Sequence, residues 1–102
     1  MKLPIAAFAA AISFASVSAL AAQPVTAKLE SPLAQPSKPV AGSAIFDCEG
    51  DTCVAANAVD RTTDTAGCRE LARQVGKITA FGDAKRPFSA AKLAACNEGA
   101  KK

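Results

Sequence analysis

Two short apolar runs in the middle of the chain are separated by a polar connection that contains glycine, and this pattern predicts a β-hairpin. Two largely apolar runs, 44–48 and 53–56, flank the polar and glycine residues 49–52. The glycine in this connection can take the positive φ that a tight turn needs. A register that pairs Cys48 with Cys53 brings two thiols together across the strands, where a disulfide can join them.

After the turn-rich residues 57–63, the spacing of apolar residues changes to that of a helix. Apolar positions recur at i, i+3, i+4 and i+7, and they are Cys68, Leu71, Ala72 and Val75. Thr63, Asp64 or Thr65 can cap the start of this helix, and Gly76 suits its end.

Two further elements are predicted in the last third of the chain. Residues 77–81 form a short strand that a glycine and an aspartate close. A second helix follows, with Ser89 as its N-cap and with Phe88 and Leu93 at the two positions of a hydrophobic staple. Asn97 is expected to end this helix.

The order hairpin, helix, strand, helix predicts a small α+β domain over residues 42–98. Its large apolar side chains are few, namely Ile45, Phe46, Val54, Val59, Leu71, Val75, Ile78, Phe81, Phe88 and Leu93. A core of this size is marginal without covalent help, so we expect disulfides to stabilise the domain.

The segments on either side of this domain carry weaker patterns. Residues 23–41 contain four prolines and few large apolar residues, so we predict a Pro-rich arm or linker. Within it, residues 25–30 are expected to add an edge strand at best, because proline removes backbone donors. Residues 99–102 are predicted to be a basic tail.

Residues 1–22 have the order of charge and hydrophobicity that is typical of a signal peptide. Lys2 is a positive n-region, residues 5–17 are an apolar h-region, and residues 19–21 are the small-x-small pattern that signal peptidase accepts. We therefore expect cleavage after Ala21 or Ala22. The mature protein is then periplasmic or secreted.

An uncleaved membrane anchor is the alternative for the same segment. Residues 3–22 run without a charge, and about 20 such residues can cross a bilayer. Serines and a proline interrupt a run that consists mainly of weakly hydrophobic alanine, which favours the signal peptide. We expect no membrane span after cleavage.

The composition excludes much catalytic chemistry. The chain has no histidine, tryptophan or tyrosine. Without imidazole there is no Ser-His-Asp or Cys-His pair, no imidazole base near neutral pH and no mixed Cys/His zinc site. We therefore expect a non-catalytic protein without a cofactor or metal. Removal of the leader takes away Lys2 and leaves 11 basic against nine acidic residues, and this net charge of +2 is too small to indicate a polyanionic partner. Phenylalanine as the only aromatic residue type argues against nucleic acid.

The four cysteines are the main candidates for special chemistry, and they are Cys48, Cys53, Cys68 and Cys96. In an oxidising compartment, four thiols in a short chain form two disulfides more often than they bind metal. Three connectivities are possible, of which we favour Cys48 with Cys53 and Cys68 with Cys96. On the loop-entropy model the first contributes about 2 kcal/mol and the second about 3.5 kcal/mol.

A thiol-disulfide redox centre at Cys48 and Cys53 is the main alternative. Their spacing is not that of a C-x-x-C motif. Asp47, Glu49 and Asp51 surround the pair with negative charge, which disfavours the thiolate that a reactive cysteine needs. A four-cysteine zinc site is disfavoured because oxidation competes, and the acidic residues do not match a calcium-binding loop. The acidic hairpin tip is therefore expected to be solvated.

Two surfaces are candidates for binding a partner. Arg69 and Arg73, with Lys77 beyond them, are spaced to form a basic stripe for an anionic envelope component. The tip from Glu49 to Thr52 is the segment that an inhibitor of a secreted hydrolase would present. An ordinary solvated helix face and a solvated turn would produce the same patterns.

Three motifs stand out around the cysteines: Cys48-Glu49-Gly50-Asp51-Thr52-Cys53-Val54-Ala55, Cys68-Arg69-Glu70-Leu71-Ala72 with Gly76, and Leu93-Ala94-Ala95-Cys96-Asn97. In these motifs the sequence resembles a family of small exported four-cysteine proteins from alphaproteobacteria, for which no activity or ligand is established. The resemblance covers residues 42–97. The family often has tryptophan two residues before the first cysteine, where this chain has Phe46. The resemblance implies export and a shared disulfide-stapled domain, and it implies no catalytic residue.

Together these observations predict an exported, non-catalytic binding or structural component of the cell envelope. Its folded surface or its Pro-rich arm is expected to engage an envelope protein or an anionic envelope component. A redox protein and a hydrolase inhibitor are the alternative functions.

Overall fold

The computed structural model describes residues 24–102 and shows an antiparallel sheet packed against two helices. The strands are β1 (Val25–Leu29), β2 (Val40–Ala41), β3 (Ala44–Ile45), β4 (Asp47–Glu49), β5 (Thr52–Ala55) and β6 (Ile78–Gly82). The helices are α1 (Thr65–Val75), α2 (Ala90–Cys96) and a short 3-10 helix at Asp60–Thr63. The main sheet has the order β4-β5-β1-β6, and β2 pairs with β3. The α+β prediction is confirmed.

The predictions for the leader concern residues that lie outside the described range. These are the signal peptide at 1–22, its cleavage after Ala21 or Ala22, and the alternative membrane anchor at 3–22. Within residues 24–102, no helix is long and apolar enough to cross a membrane.

The predicted hairpin is formed by β4 and β5, and its register is the one that alternation indicated. Cys48 lies opposite Cys53, and Asp47 lies opposite Val54. Gly50 adopts a φ of 61° at the tip, which a residue with a side chain rarely takes. The local pattern was therefore sufficient to predict this element.

The prediction of an arm over residues 23–41, with the domain beginning at 42, is wrong. Strand β1 lies inside the sheet, between β5 and β6, and every second residue of it is buried. The alternation Val25, Ala27, Leu29 is the pattern of a half-buried strand. Both neighbouring prolines fall outside the strand, so they remove none of its ladder hydrogen bonds. The folded domain therefore includes β1.

The rest of the predicted arm returns along the edge of the sheet. Ser37 bridges Cys48 through two backbone hydrogen bonds of 3.0 and 2.8 Å, and Val40 pairs with Ile45 in the same register. Residues 36–41 thus run antiparallel to 44–49. Gly42 and Ser43, at φ values of 56° and 63°, form the tight turn between β2 and β3.

The Gly42 turn is held against helix α1 by buried and half-buried polar contacts. The Gly42 amide donates to the Glu70 carboxylate at 2.8 Å, and the Thr62 hydroxyl donates to the Gly42 carbonyl at 2.7 Å. The Gly42 amide is the strongest influence that lowers the pKa of Glu70 below its ordinary 4.5; partial burial opposes it, and the charges of Arg61 and Arg73 add to it.

The two long helices begin and end near the predicted positions. Helix α1 follows Asp64 and ends at Gly76, which has a φ of 104°. Helix α2 follows Ser89, whose hydroxyl accepts a hydrogen bond from the Lys92 amide at 3.3 Å. Phe88 and Leu93 are partly buried against the core, as a hydrophobic staple requires.

The core lies between the helices and one face of the sheet. Its fully buried side chains include Val25 from β1, Leu71 from α1 and Ile78 from β6. Phe46 joins them, and its ring centroid lies 6.3 Å from that of Phe81. Many other core positions are alanine or cystine, so the apolar interior is small, as the composition predicts.

The exposed edge of β6 is closed by a side chain rather than by another strand. The Asn97 amide group accepts from the Ile78 amide and donates to the Ile78 carbonyl, both at 2.8 Å. Further along, the Phe88 amide donates to the Phe81 carbonyl at 2.8 Å. These hydrogen bonds satisfy backbone groups at the edge of β6 that could otherwise pair with a strand of another chain.

Candidate functional site

The two disulfides join the pairs that the sequence favoured, Cys48 with Cys53 and Cys68 with Cys96. The first lies across the β4–β5 ladder with its Cα atoms 4.0 Å apart. The backbone groups of Cys48 point away from β5 and bond Ser37, so this is the closely spaced, non-hydrogen-bonded type of cross-strand pair. The second joins α1 to α2.

Burial favours a structural role for the Cys48–Cys53 disulfide. Cys48 is 2 % exposed and Cys53 is fully buried, so an attacking thiolate has little access to either sulfur. Cys68 and Cys96 are fully buried as well. In the part of the chain that the structure describes, no cluster of three or more His, Cys, Asp or Glu side chains is arranged to hold a metal ion.

The acidic tip at residues 49–52 is exposed at its apex but tied to the body of the protein. The Asp51 carbonyl accepts from the Leu29 amide at 2.7 Å, and the Gly50 carbonyl accepts from the Leu33 amide at 2.8 Å. The tip is therefore a rigid, charged projection. The inhibitor function remains a prediction.

The structure does not assemble the predicted basic stripe as one free surface. Arg69 is half-buried, donates to the Ala95 carbonyl at 3.3 Å and pairs with Glu98 at 3.6 Å. Lys77 pairs with Glu30 at 3.2 Å. Arg73 alone of the three makes no ion pair within residues 24–102.

A different set of lysines meets in a cleft of about 560 Å³, which we call the tail cleft. Its walls come from three segments: the loop at 30–34, the end of α1 at 74–77, and residues 100–102, with Asn97 beside them. Leu33, Val75 and Ala100 are its partly buried apolar lining. Lys77, Lys101 and Lys102 are its cationic lining.

Backbone hydrogen bonds fix each wall of the tail cleft. The Lys101 amide donates to the Ala72 carbonyl at 3.0 Å, which docks the last residues on the end of α1. The Glu30 amide donates to the Lys77 carbonyl at 3.0 Å, beside the ion pair of the same two residues. The last residues are therefore part of the folded body, whereas the sequence predicted only a basic tail at 99–102.

The chemistry of the tail cleft suits binding rather than bond breaking. Its volume lies in the range of small-ligand sites, which combine an apolar lining with a few placed polar groups. Its charged side chains are those of three lysines and Glu30, so the net side-chain charge is positive. It can therefore attract an anionic group and cover an adjoining apolar one.

Comparison with known protein families assigns the chain to one of them. A model described as a family of unknown function (DUF8200) matches residues 6–98. The chain belongs to this family. The span shared with the DUF8200 family includes both disulfides, the 30–34 loop and Lys77, and it ends before Lys101 and Lys102. No curated protein and no solved structure is significantly similar to the chain.

Sequence reasoning missed the tail cleft because its walls are far apart in the chain. Residues 30–34 were assigned to an arm, and Lys101 and Lys102 to a tail. A signal was nevertheless present, since Leu33 is a single large apolar residue among prolines, which indicates a docking point. Its partners at the end of α1 become visible only in the folded chain.

Proposed function

We propose that the protein is an exported, non-catalytic binding component of the cell envelope, and that its tail cleft binds an anionic ligand with an apolar portion. The observation that carries this proposal is the convergence of Lys77, Lys101 and Lys102 around an apolar lining. The ligand belongs to the class of anionic envelope components.

Two features support export. Residues 1–22 have the sequence pattern of a signal peptide. Both disulfides are buried in a core too small to rely on apolar contacts alone, and such bonds persist in oxidising compartments. These two features together support a periplasmic or secreted location.

The pairing of charges in the tail cleft indicates where the anion binds. Lys77 is already neutralised by Glu30 at 3.2 Å. Lys101 and Lys102 make no ion pair with any residue in the range 24–102, and both are exposed. We therefore assign the anionic group to the side of the cleft formed by Lys101 and Lys102, and the apolar portion to the lining around Leu33.

The chemical groups in the cleft support a non-catalytic role. The chain has no histidine, and among the hydrogen bonds of residues 24–102 none joins a hydroxyl of the cleft to a base. Lysine side chains and amides bind an anion through charge and hydrogen bonds.

Titration with a defined amphiphile tests the site. Decanoate is added to the isotopically labelled protein, and amide chemical shifts are followed by NMR. We expect the largest shifts at Gly76, Lys77 and Ala100, and weaker binding of uncharged decanamide. Shifts spread evenly over the surface would contradict a defined site.

Charge reversal distinguishes binding in the tail cleft from non-specific attraction of the anion by the net charge of the protein. We expect Lys101→Glu/Lys102→Glu to weaken decanoate binding by about tenfold, because two attractions become repulsions. The matched control is Lys85→Glu/Arg86→Glu, which changes net charge equally on an exposed loop after β6. Equal losses in both variants would rule out the cleft.

Export is tested separately, by the N-terminal sequence of the protein recovered from the periplasm or medium, which should begin at Ala22 or Gln23.

A further inference from the structure

Residues 24–102 leave the face of the sheet that points away from the helices without a covering layer. Along β1, β4 and β5 the side chains alternate, so that Ala27, Cys48 and Cys53 are buried in the core. The intervening side chains are exposed or half-buried, and they define what we call the open face: Thr26, Lys28, Asp47, Glu49, Thr52 and Val54.

Strand register arranges the open face in rows centred on β5. In one row Thr52 lies between Glu49 on β4 and Lys28 on β1. In the next row Val54 lies between Asp47 on β4 and Thr26 on β1. The first row is thus negative on one side of β5 and positive on the other.

These two charges lack ionic partners in the described chain. Lys28 donates a hydrogen bond to the Thr52 hydroxyl at 2.9 Å but makes no salt bridge, and Glu49 makes none within residues 24–102. The neighbouring Asp47, by contrast, pairs with Lys38 at 3.8 Å. Glu49 and Lys28 are therefore available for charges on another surface.

We propose that two copies of this chain associate through their open faces, about a two-fold axis parallel to β5. Such an axis lays each row on the same row of the second copy with the strand order reversed, so that β4 faces β1. Glu49 then lies opposite Lys28 of the second copy, and Lys28 lies opposite Glu49 of the second copy. The two Val54 side chains contact each other. The face is complementary to itself, as a two-fold interface requires.

An exposed apolar pair continues the same surface. Val40 and Ile45 lie opposite each other and are 60 % and 63 % exposed, on the side of the sheet that carries Lys38 and Asp47. Two antiparallel sheets pack face to face with their strands nearly aligned, which brings these side chains toward the partner surface. Because most of the open face is polar and small, the dimer is weak, with a Kd on the order of 10–1000 μM.

Sedimentation equilibrium of the purified protein over a wide concentration range tests the proposal. We expect reversible dimerisation that weakens as salt rises. Glu49→Lys and Lys28→Glu should each weaken dimerisation by about tenfold, because each converts two attractions into two repulsions. The double variant Glu49→Lys/Lys28→Glu should return to within about threefold of the unaltered protein, because it restores both pairs in reversed order.

The matched control is Asp64→Lys, which makes the same charge change at the start of α1, in the helical layer rather than on the open face. It should leave dimerisation within about twofold of the unaltered protein. A protein that stays monomeric up to about 1 mM, the upper end of the range expected for such a face, overturns the proposal. Failure of the double variant to recover, or an equal loss with Asp64→Lys, overturns it as well. Circular dichroism of each variant identifies any loss that arises from unfolding.

Discussion

The two disulfides occupy different kinds of structure. Cys48–Cys53 spans a sequence separation of 5 and lies within a hairpin whose strands already pair. Cys68–Cys96 spans a separation of 28 and joins two helices that meet only in the folded chain. Polar contacts accompany the second disulfide: Arg69 donates to the Ala95 carbonyl and pairs with Glu98, and the Lys101 amide donates to the Ala72 carbonyl.

The comparison shows that one kind of bond has two different effects here. In the hairpin, the disulfide reinforces contacts that local sequence already favours. Between the helices, it restricts a much longer loop in the unfolded chain and so removes more conformational freedom. We therefore expect the helical layer to depend on its disulfide more than the sheet does.

Removal of each disulfide tests this difference most directly. We expect Cys68→Ala/Cys96→Ala to lower the free energy of unfolding by about 3.5 kcal/mol, and Cys48→Ala/Cys53→Ala to lower it by about 2 kcal/mol. Urea unfolding followed by circular dichroism measures both. Equal losses, or a larger loss in the hairpin variant, would contradict the comparison.

The next largest effect is expected at Asn97, which follows the second disulfide and bonds both backbone groups of Ile78. Asn97→Ala leaves these half-buried groups without a protein partner, so the free energy of unfolding should fall by about 2 kcal/mol. The exposed Asn57→Ala serves as the control and should cost less than about 0.5 kcal/mol. A similar loss at both positions would show that the contact between Asn97 and β6 does not stabilise the helical layer.

The smallest effect concerns the link between the Gly42 turn and α1. The pKa of Glu70 is lowered in the folded protein, chiefly by the Gly42 amide, so its contribution to stability is present above the ordinary value of 4.5. That contribution is lost as the pH falls below 4.5 and through the folded pKa. Glu70→Gln should therefore show a shallower loss of stability between neutral and acid pH than the unaltered protein.

Glu98→Gln is the control for this measurement, because Glu98 is well exposed and within residues 24–102 pairs with Arg69 alone. Urea unfolding at a series of pH values gives the slope for each protein. The idea fails if Glu70→Gln and Glu98→Gln change the slope equally.

Elements whose signal is local were predictable. The hairpin follows from two short apolar runs around Gly50, and α1 follows from the spacing of Cys68, Leu71 and Val75. In each case the residues that define the element lie within about two turns or one strand of each other. The same argument applied to α2, where Ser89 caps the helix as predicted.

Strand β1 shows why a local pattern can mislead. The alternation of buried residues is clear in Val25, Ala27 and Leu29, but Leu29 is the largest of these side chains and the other two are smaller. Prolines also flank the segment. Composition therefore favoured an arm. The strand becomes central because it pairs with β5 on one side and β6 on the other, about 25 and 50 residues away along the chain.

The tail cleft was unpredictable for a related reason. It forms only where the 30–34 loop, the end of α1 and the last residues meet. The local residue pattern of each segment does not show which other segments it contacts. The open face differs, because its alternation is visible in β4 and β5, while its order across the sheet depends on where β1 inserts.

By itself, the sequence determined the hairpin, the amphipathic helix, the Ser89 cap of α2 and the presence of four cysteines in a chain with few large apolar residues, because these depend on neighbours in the chain. Only the tertiary structure decided that β1 is central, that Asn97 closes the edge of β6, and that Lys101 joins Lys77 at a cleft. Those outcomes depend on pairing between distant segments, where burial and backbone hydrogen bonds outweigh local preference.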